Sequence, residues 1–174
     1  ENPLSDVMLH HLIKLEPNAS LTLVENGPVA ARSNLVMEVE VADQAQSMKL
    51  NPLQSARVAP MIWHEPLMSV GPEKYAGGLL TALGLEVPAL VEGGNGYHVV
   101  TPEALIEHNV EWLLLSSEPH DFALEEGEAI AAEIRKLGGQ VVRSTCIDGE
   151  ALTWFGTATL AGLETLHKTL NEAS

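Results

Sequence analysis

Two segments of this 174-residue chain share one pattern, an apolar run that stops at a carboxylate, a proline and a histidine. The first is Pro60-Met61-Ile62-Trp63-His64-Glu65-Pro66-Leu67-Met68, leading into Gly71-Pro72-Glu73-Lys74-Tyr75. The second is Leu113-Leu114-Leu115-Ser116-Ser117-Glu118-Pro119-His120-Asp121-Phe122. Short apolar runs closed by such punctuation read as buried strands that end in loops. In an open α/β sheet, ligands bind just outside the carboxyl ends of the strands. The pattern therefore sets titratable groups where a ligand or a partner would sit.

The remaining elements follow from periodicity and end signals. Leu4 to Leu15, with Ser5 or Asp6 as cap and Pro17 as stop, reads as a helix. Leu21 to Val24 reads as a short strand, Asn26-Gly27-Pro28 as a turn and Leu35 to Val41 as a half-buried strand. Residues 43–56 are weakly patterned and read as a connector. Beyond them come a strand at Val58 to Trp63, a helix from Gly71-Pro72-Glu73 to Gly84 and a loop at Glu92 to Gly96. A strand at Tyr97 to Val100 and a helix capped by Thr101 follow. Trp112 to Leu115 is apolar throughout, as a strand buried on both faces must be. A helix from Glu125 to Leu137, a strand at Val141-Val142 and a last helix from Thr157 to Leu170 complete the order. Strands alternating with helices predict an α/β fold, a three-layer lobe on a parallel sheet over residues 57–174. Residues 1–56 are too few for a core of their own and read as a small segment packed on that lobe.

The formal net charge is −15, from 24 acidic and 9 basic side chains. That argues against nucleic acid, which needs a basic footprint, and against an anionic membrane surface. It suits a cationic ligand, a metal or a partner with exposed arginines, and equally simple solubility. The single cysteine, Cys146, forms no internal disulfide. No run of 18 apolar residues occurs, so nothing is expected to span a bilayer. Glu1-Asn2-Pro3 is not the basic start of a signal peptide, so the chain is expected to be cytoplasmic or a mature exported protein.

Three groups are candidates for chemistry. His64, Glu65, Glu118, His120 and Asp121 converge if the two loops share a sheet edge; two imidazoles and a carboxylate suit zinc or another divalent transition metal. The plain alternative is that these carboxylates punctuate loops and cap helices. Trp154 and Phe155, within Asp148-Gly149-Glu150-Ala151-Leu152-Thr153-Trp154-Phe155-Gly156, are either a stacking wall for a flat ligand or anchors of the last helix. Gly93, Gly94 and Gly96 precede a strand and so form no dinucleotide fingerprint. No GxSxG elbow is present, and Asp148 beside Cys146 is expected to raise the thiol pKa.

Three motifs in order, Ile62 to Met68 with Gly71, Leu114 to Phe122, and Asp148 to Gly156, resemble the helical-backbone metal receptors, together with Val100-Thr101-Pro102-Glu103-Ala104-Leu105 before the buried strand. These are periplasmic substrate-binding proteins of ABC importers for cobalamin, haem and ferric siderophores. The similarity runs from about Val58 to Leu166 and covers the family's C-terminal lobe. It implies two α/β lobes with the ligand held between them, Trp63, Glu65, Glu118, Trp154 and Phe155 facing the cleft, and acidic surfaces docking on arginines of the permease. Only Leu9 to Glu25 resembles the N-terminal lobe, which implies a much reduced lobe and no long linking helix. His64 stands where the family often has arginine, and Thr157-Ala158 where it usually has a basic residue.

The expected function is a periplasmic, non-catalytic binding module for a metal complex or tetrapyrrole-type ligand. Trp63, Trp154 and Phe155 would give apolar contact, and His64, Glu65, Glu118 and His120 polar or metal contact. The alternatives are a non-transport accessory or scaffold subunit of a larger complex, using its acidic surface, and a small metal-dependent hydrolase on the His/Glu cluster.

Overall fold

The computed structural model describes the strands Val7–Leu15 and Ser33–Val41 and residues 50, 52–93 and 96–174. The chain forms two compact units, Glu1–Lys49 and Leu50–Ser174. In the first, β1 (Val7–Leu15) pairs in parallel with β2 (Ser33–Val41) over nine positions, Val7 opposite Ser33 and Leu15 opposite Val41. The sequence reads residues 4–15 as a helix, and over Val7–Leu15 the structure overturns this. A nearly continuous apolar run satisfies either period, and the full-length ladder with β2 decides for a strand. The expected strand at Leu21–Val24, the turn at 26–28, residues 43–49 and 51 of the connector, and Gly94-Asn95 of the loop before Tyr97 lie outside the described residues.

The second unit is a five-stranded sheet in the order β5-β4-β3-β6-β7, with β3 Val58–Trp63, β4 Met68–Val70, β5 Tyr97–Val99, β6 Trp112–Ser116 and β7 Arg143–Ile147. β3, β6 and β7 run parallel, as expected. β4 is antiparallel to both β3 and β5, so the sheet is mixed rather than purely parallel. The cause is the tight turn after Trp63, which returns the chain along β3; parallel strands need a crossover of a dozen or more residues. β4 has three residues, too few to show a period. The last strand begins at Arg143 and not at Val141, which is 78% exposed.

Alternating side chains of the central strands feed two cores. Val58, Ile62, Trp112 and Leu114 point to one face, under α1 (Tyr75–Ala82), α4 (Gly149–Thr153) and α5 (Thr159–Glu172). Ala59, Met61, Leu113 and Leu115 point to the other, under α2 (Pro102–Glu107) and α3 (Leu124–Lys136). All five residues of β6 are buried: Trp112–Leu115, as an unbroken apolar run requires, and Ser116, whose hydroxyl donates to Glu118 O. Trp112 is fully buried; its indole N–H donates to Thr145 Oγ1 at 2.9 Å, and the Arg143 guanidinium lies 3.7 Å over its ring.

Helix ends follow their sequence signals. Thr101 Oγ1 accepts from the Ala104 N–H at 3.3 Å, capping α2 with Pro102 at its first position. α3 carries Glu125 and Glu126 in its first turn and Arg135 and Lys136 in its last, the polarity its dipole favours. α1 starts at Tyr75, three residues beyond the Pro72 start read from sequence. It packs so closely on the segment before it that a Cβ on Gly77 would strike Gly71 O and come within 2.7 Å of Pro72 Cα.

This close approach gives a paired expectation within one helix. Gly78, with nothing within 4 Å of a would-be Cβ, should gain about 0.5–1 kcal/mol of stability on replacement by alanine. Gly77→Ala should lose about 1–3 kcal/mol, because backbone and not a flexible side chain must move. Chemical denaturation of both variants checks this; shifts of the same sign would contradict it.

Candidate functional site

The parallel register sets the site. Val58 lies opposite Trp112 and Met61 opposite Leu115, while Ser116 lies opposite Ile147. The carboxyl ends of β3, β6 and β7 therefore finish side by side, and the segments starting at His64, Ser117 and Asp148 leave the sheet at one edge. Both Glu65–Pro66 and Glu118–Pro119 are cis peptides.

The loop after β6 is fixed by its own hydroxyls. Ser116 Oγ donates to Glu118 O at 2.6 Å and accepts from the Glu118 N–H at 3.2 Å. Ser117 Oγ accepts from the Gly149 N–H at 3.0 Å, tying this loop to the start of α4, where Asp148 Oδ1 caps Ala151 N–H at 3.1 Å. A Cβ on Gly149 would come within 2.6 Å of Glu118 N. These serines thus hold backbone in place.

The structure brings His64 and His120 together, as the sequence pattern anticipates, and joins them to Glu126, which sequence reasoning missed. His120 Nε2 is hydrogen bonded to Glu126 Oε1 at 2.9 Å, and His64 Nδ1 approaches the same oxygen at 2.7 Å. The second approach lies off the hydrogen-bonding direction, so the buried Nδ1 atom touches the carboxylate but makes no hydrogen bond. Glu126 Oε2 accepts from the Ala123 N–H at 2.8 Å, the carboxylate half of a helix capping box. That N–H, and next the His120 bond, hold the Glu126 carboxyl below its ordinary pKa. Phe122 meets His120 edge-on at 4.6 Å, and Trp63 meets it at 5.9 Å. Among the described residues, His64, His120 and Glu126 are the one group of three whose ligand atoms all lie within 4.8 Å of one another. Glu65 and Glu118 do not belong to it. Glu65 contributes its carbonyl to the Trp63 indole N–H at 2.9 Å.

A separate open cleft of about 550 Å³ lies at the same sheet edge, lined by Ile62, Lys74, Tyr75, Tyr97, Glu118 and Thr153 among others. Trp154 and Phe155 follow Thr153 directly and are 53% and 77% exposed, so neither is a core anchor of the last helix. Tyr75 links them to the cleft: its hydroxyl donates to Trp154 O at 3.3 Å, pairs with Thr159 Oγ1 at 2.9 Å, and its ring lies 6.1 Å from Phe155. Lys74 Nζ sits 4.6 Å over the Tyr97 ring. Tyr75 and Tyr97 were not singled out in the sequence. The signal that could have found Tyr75 is its place at the start of the helix following the first loop.

Cys146 is exposed, and its Sγ lies 3.7 Å from Phe122 O. Its thiol pKa is raised, first by desolvation of the sulfur and then by Glu125 and Asp121, so the direction read from sequence holds with different neighbours. His98, without an evident partner in sequence, is buried with Nε2 3.4 Å from Glu73 Oε1. His108 Nδ1 is hydrogen bonded to Ala104 O at 2.9 Å.

The sequence matches no protein-family model and no curated protein. Solved structures do match. The periplasmic haem-binding protein BhuT in complex with two haems is 22% identical, with a TM-score of 0.51 over 70% of this chain and 46% of that one. RhuT, a periplasmic haem-binding protein from Roseiflexus sp. RS-1 in apo form, is 17% identical, with a TM-score of 0.50 over 71% and 47%. The periplasmic vitamin B12-binding protein BtuF of Vibrio cholerae is 13% identical, with a TM-score of 0.48 over 69% and 46%. This chain spans under half the length of these proteins. The sheet and helices of Leu50–Ser174 have the fold of the C-terminal lobe of such periplasmic substrate-binding proteins, the resemblance read from the three sequence motifs.

Proposed function

We propose that this chain is a substrate-binding-protein-like module that holds a metal complex or tetrapyrrole-type ligand against the cleft at the carboxyl edge of its sheet, in the periplasm, for ABC-type uptake. The observation that carries the reading is the cleft itself, with Tyr75 and Tyr97 lining it and Trp154 and Phe155 exposed beside it. Two tyrosine rings in the lining, with the Phe155 ring 6.1 Å from one of them, fit a flat, apolar macrocycle. Lys74 and Glu118 add one charge of each sign for its polar substituents. Pockets of this size, apolar with a few placed polar groups, are the usual form of small-molecule sites. The likeness to haem-binding proteins supports the ligand class. Among the described residues no helix is long and apolar enough to cross a membrane, and a permease is the partner such a module would serve.

A second reading, an accessory subunit of a larger complex, is favoured by the exposed apolar residues Tyr97 and Val99 on the edge strand β5. Such an edge is a surface that natural proteins usually cover. The two readings separate in solution: a monodisperse monomer that responds to ligand sinks the subunit reading.

Haem and ferric chelates should quench tryptophan fluorescence saturably and raise the melting temperature. Trp154→Ala should weaken haem binding about tenfold, the size expected for loss of one stacked aromatic. Silence across haem, cobalamin and ferric chelates would refute the binding reading. Gly149→Ala should push the Glu118 loop outward, costing about 1–3 kcal/mol of stability and also weakening haem; denaturation and haem titration of the same variant check both effects.

A further inference from the structure

The geometry points to a second site, distinct from the cleft, in which His64, His120 and Glu126 bind a bare divalent first-row transition ion of the zinc class. None of the three lines the cleft, so the inference does not rest on the chelate reading. The donor set is two imidazole nitrogens and one carboxylate oxygen, the borderline mixture that zinc and its neighbours take, and three protein ligands leave a fourth position open.

Three features support it. Both imidazoles converge on one oxygen, Glu126 Oε1, at 2.7 and 2.9 Å. Ligand atoms about 2.0–2.1 Å from a tetrahedral zinc stand about 3.3 Å apart, so each histidine–carboxylate pair would open by only about half an ångström, and all three ligand atoms already lie within 4.8 Å of one another. Second, the Nδ1 atom of His64 has no solvent exposure and no hydrogen bond, though the side chain as a whole is 34% exposed. A buried imidazole nitrogen without a hydrogen bond is costly, and coordination would satisfy it. Third, the trio is already oriented. Glu126 is held from behind by the Ala123 N–H at 2.8 Å, and His120 is braced by Phe122 at 4.6 Å and Trp63 at 5.9 Å. Such outer contacts are what position metal ligands.

The competing account is an ion-pair cluster that stabilises the fold. All three side chains are partly exposed, from 26% to 34%. Pairs in that setting contribute about 0–1 kcal/mol, which explains little of why two histidines from different loops meet one carboxylate oxygen. Coordination would require the proton on the His120 Nε2 that bonds Glu126 to move to the other ring nitrogen or leave, since imidazole binds metal in its neutral form.

The test is titration of the full, untagged chain with Zn²⁺ by calorimetry and with Co²⁺ by visible absorption. Glu126→Gln keeps an acceptor for the Ala123 N–H, so the helix start survives while the anionic ligand is lost. Expected are tetrahedral cobalt bands that grow to saturation, and roughly 10- to 100-fold weaker binding in Glu126→Gln and in His120→Ala. His108→Ala should leave binding unchanged. No cobalt bands in the wild-type chain, or undiminished binding in both trio variants with unaltered circular dichroism, overturns the proposal. Loss of Zn²⁺ binding with haem binding intact would separate this site from the cleft.

Discussion

The parallel pairing of β3 with β6 governs everything placed at the upper edge of the sheet. Each register pair from Val58–Trp112 to Met61–Leu115 sets both of its side chains on the same face, the face alternating from pair to pair, and a slip of one residue would turn a strand's side chains into the wrong core. Replacing a fully buried leucine such as Leu114 by alanine typically costs about 2–5 kcal/mol; exchanging whole faces would cost far more. The register is therefore strongly specified. With it come the positions of His64 beyond β3 and of Glu118 and His120 beyond β6.

That constraint splits one edge into two chemically different places. Toward α1 and α4, the side chains are aromatic and open, with Tyr75 bridging Thr159 and the Trp154 carbonyl. Toward α3, they are imidazole and carboxylate, drawn together by the start of that helix. Glu126 serves both local structure and the cluster: one oxygen completes the first turn of α3, and the other faces the two histidines. The acidic first turn of α3 thus supplies the one anionic member of the trio.

The sequence revealed the parts of this arrangement in proportion to how many independent signals marked them. β6 was legible because full burial leaves no polar position in Trp112–Leu115, and α2 because Thr101 and Pro102 mark its start together. The meeting of His64 with His120 followed from placing both loops at strand ends. β4 was not legible, being three residues long and set by a turn. In the other unit, the run at Val7–Leu15 was misread because its partner strand, and not its own period, fixes its conformation. Glu126 was hidden inside Glu125-Glu126-Gly127-Glu128, which reads as a solvated helix face until its neighbours are known. Tyr75 and Tyr97 lie on separate elements and only the fold brings them to one cleft. The histidine pair drew Glu65 and Glu118 into the same expectation because they adjoin it in sequence, yet the Trp63 indole holds the Glu65 carbonyl and the Ser116 hydroxyl holds the Glu118 carbonyl, which gives those segments their own geometry.

The central claim is that the edge shared by β3, β6 and β7 is a receptor surface for a flat metal complex. A crystal structure of the protein grown with haem tests it most directly. The account predicts a macrocycle stacked over the opening between Tyr75 and Tyr97, in contact with Trp154 or Phe155. Haem bound away from this edge, with the opening covered by another part of the molecule, would contradict it.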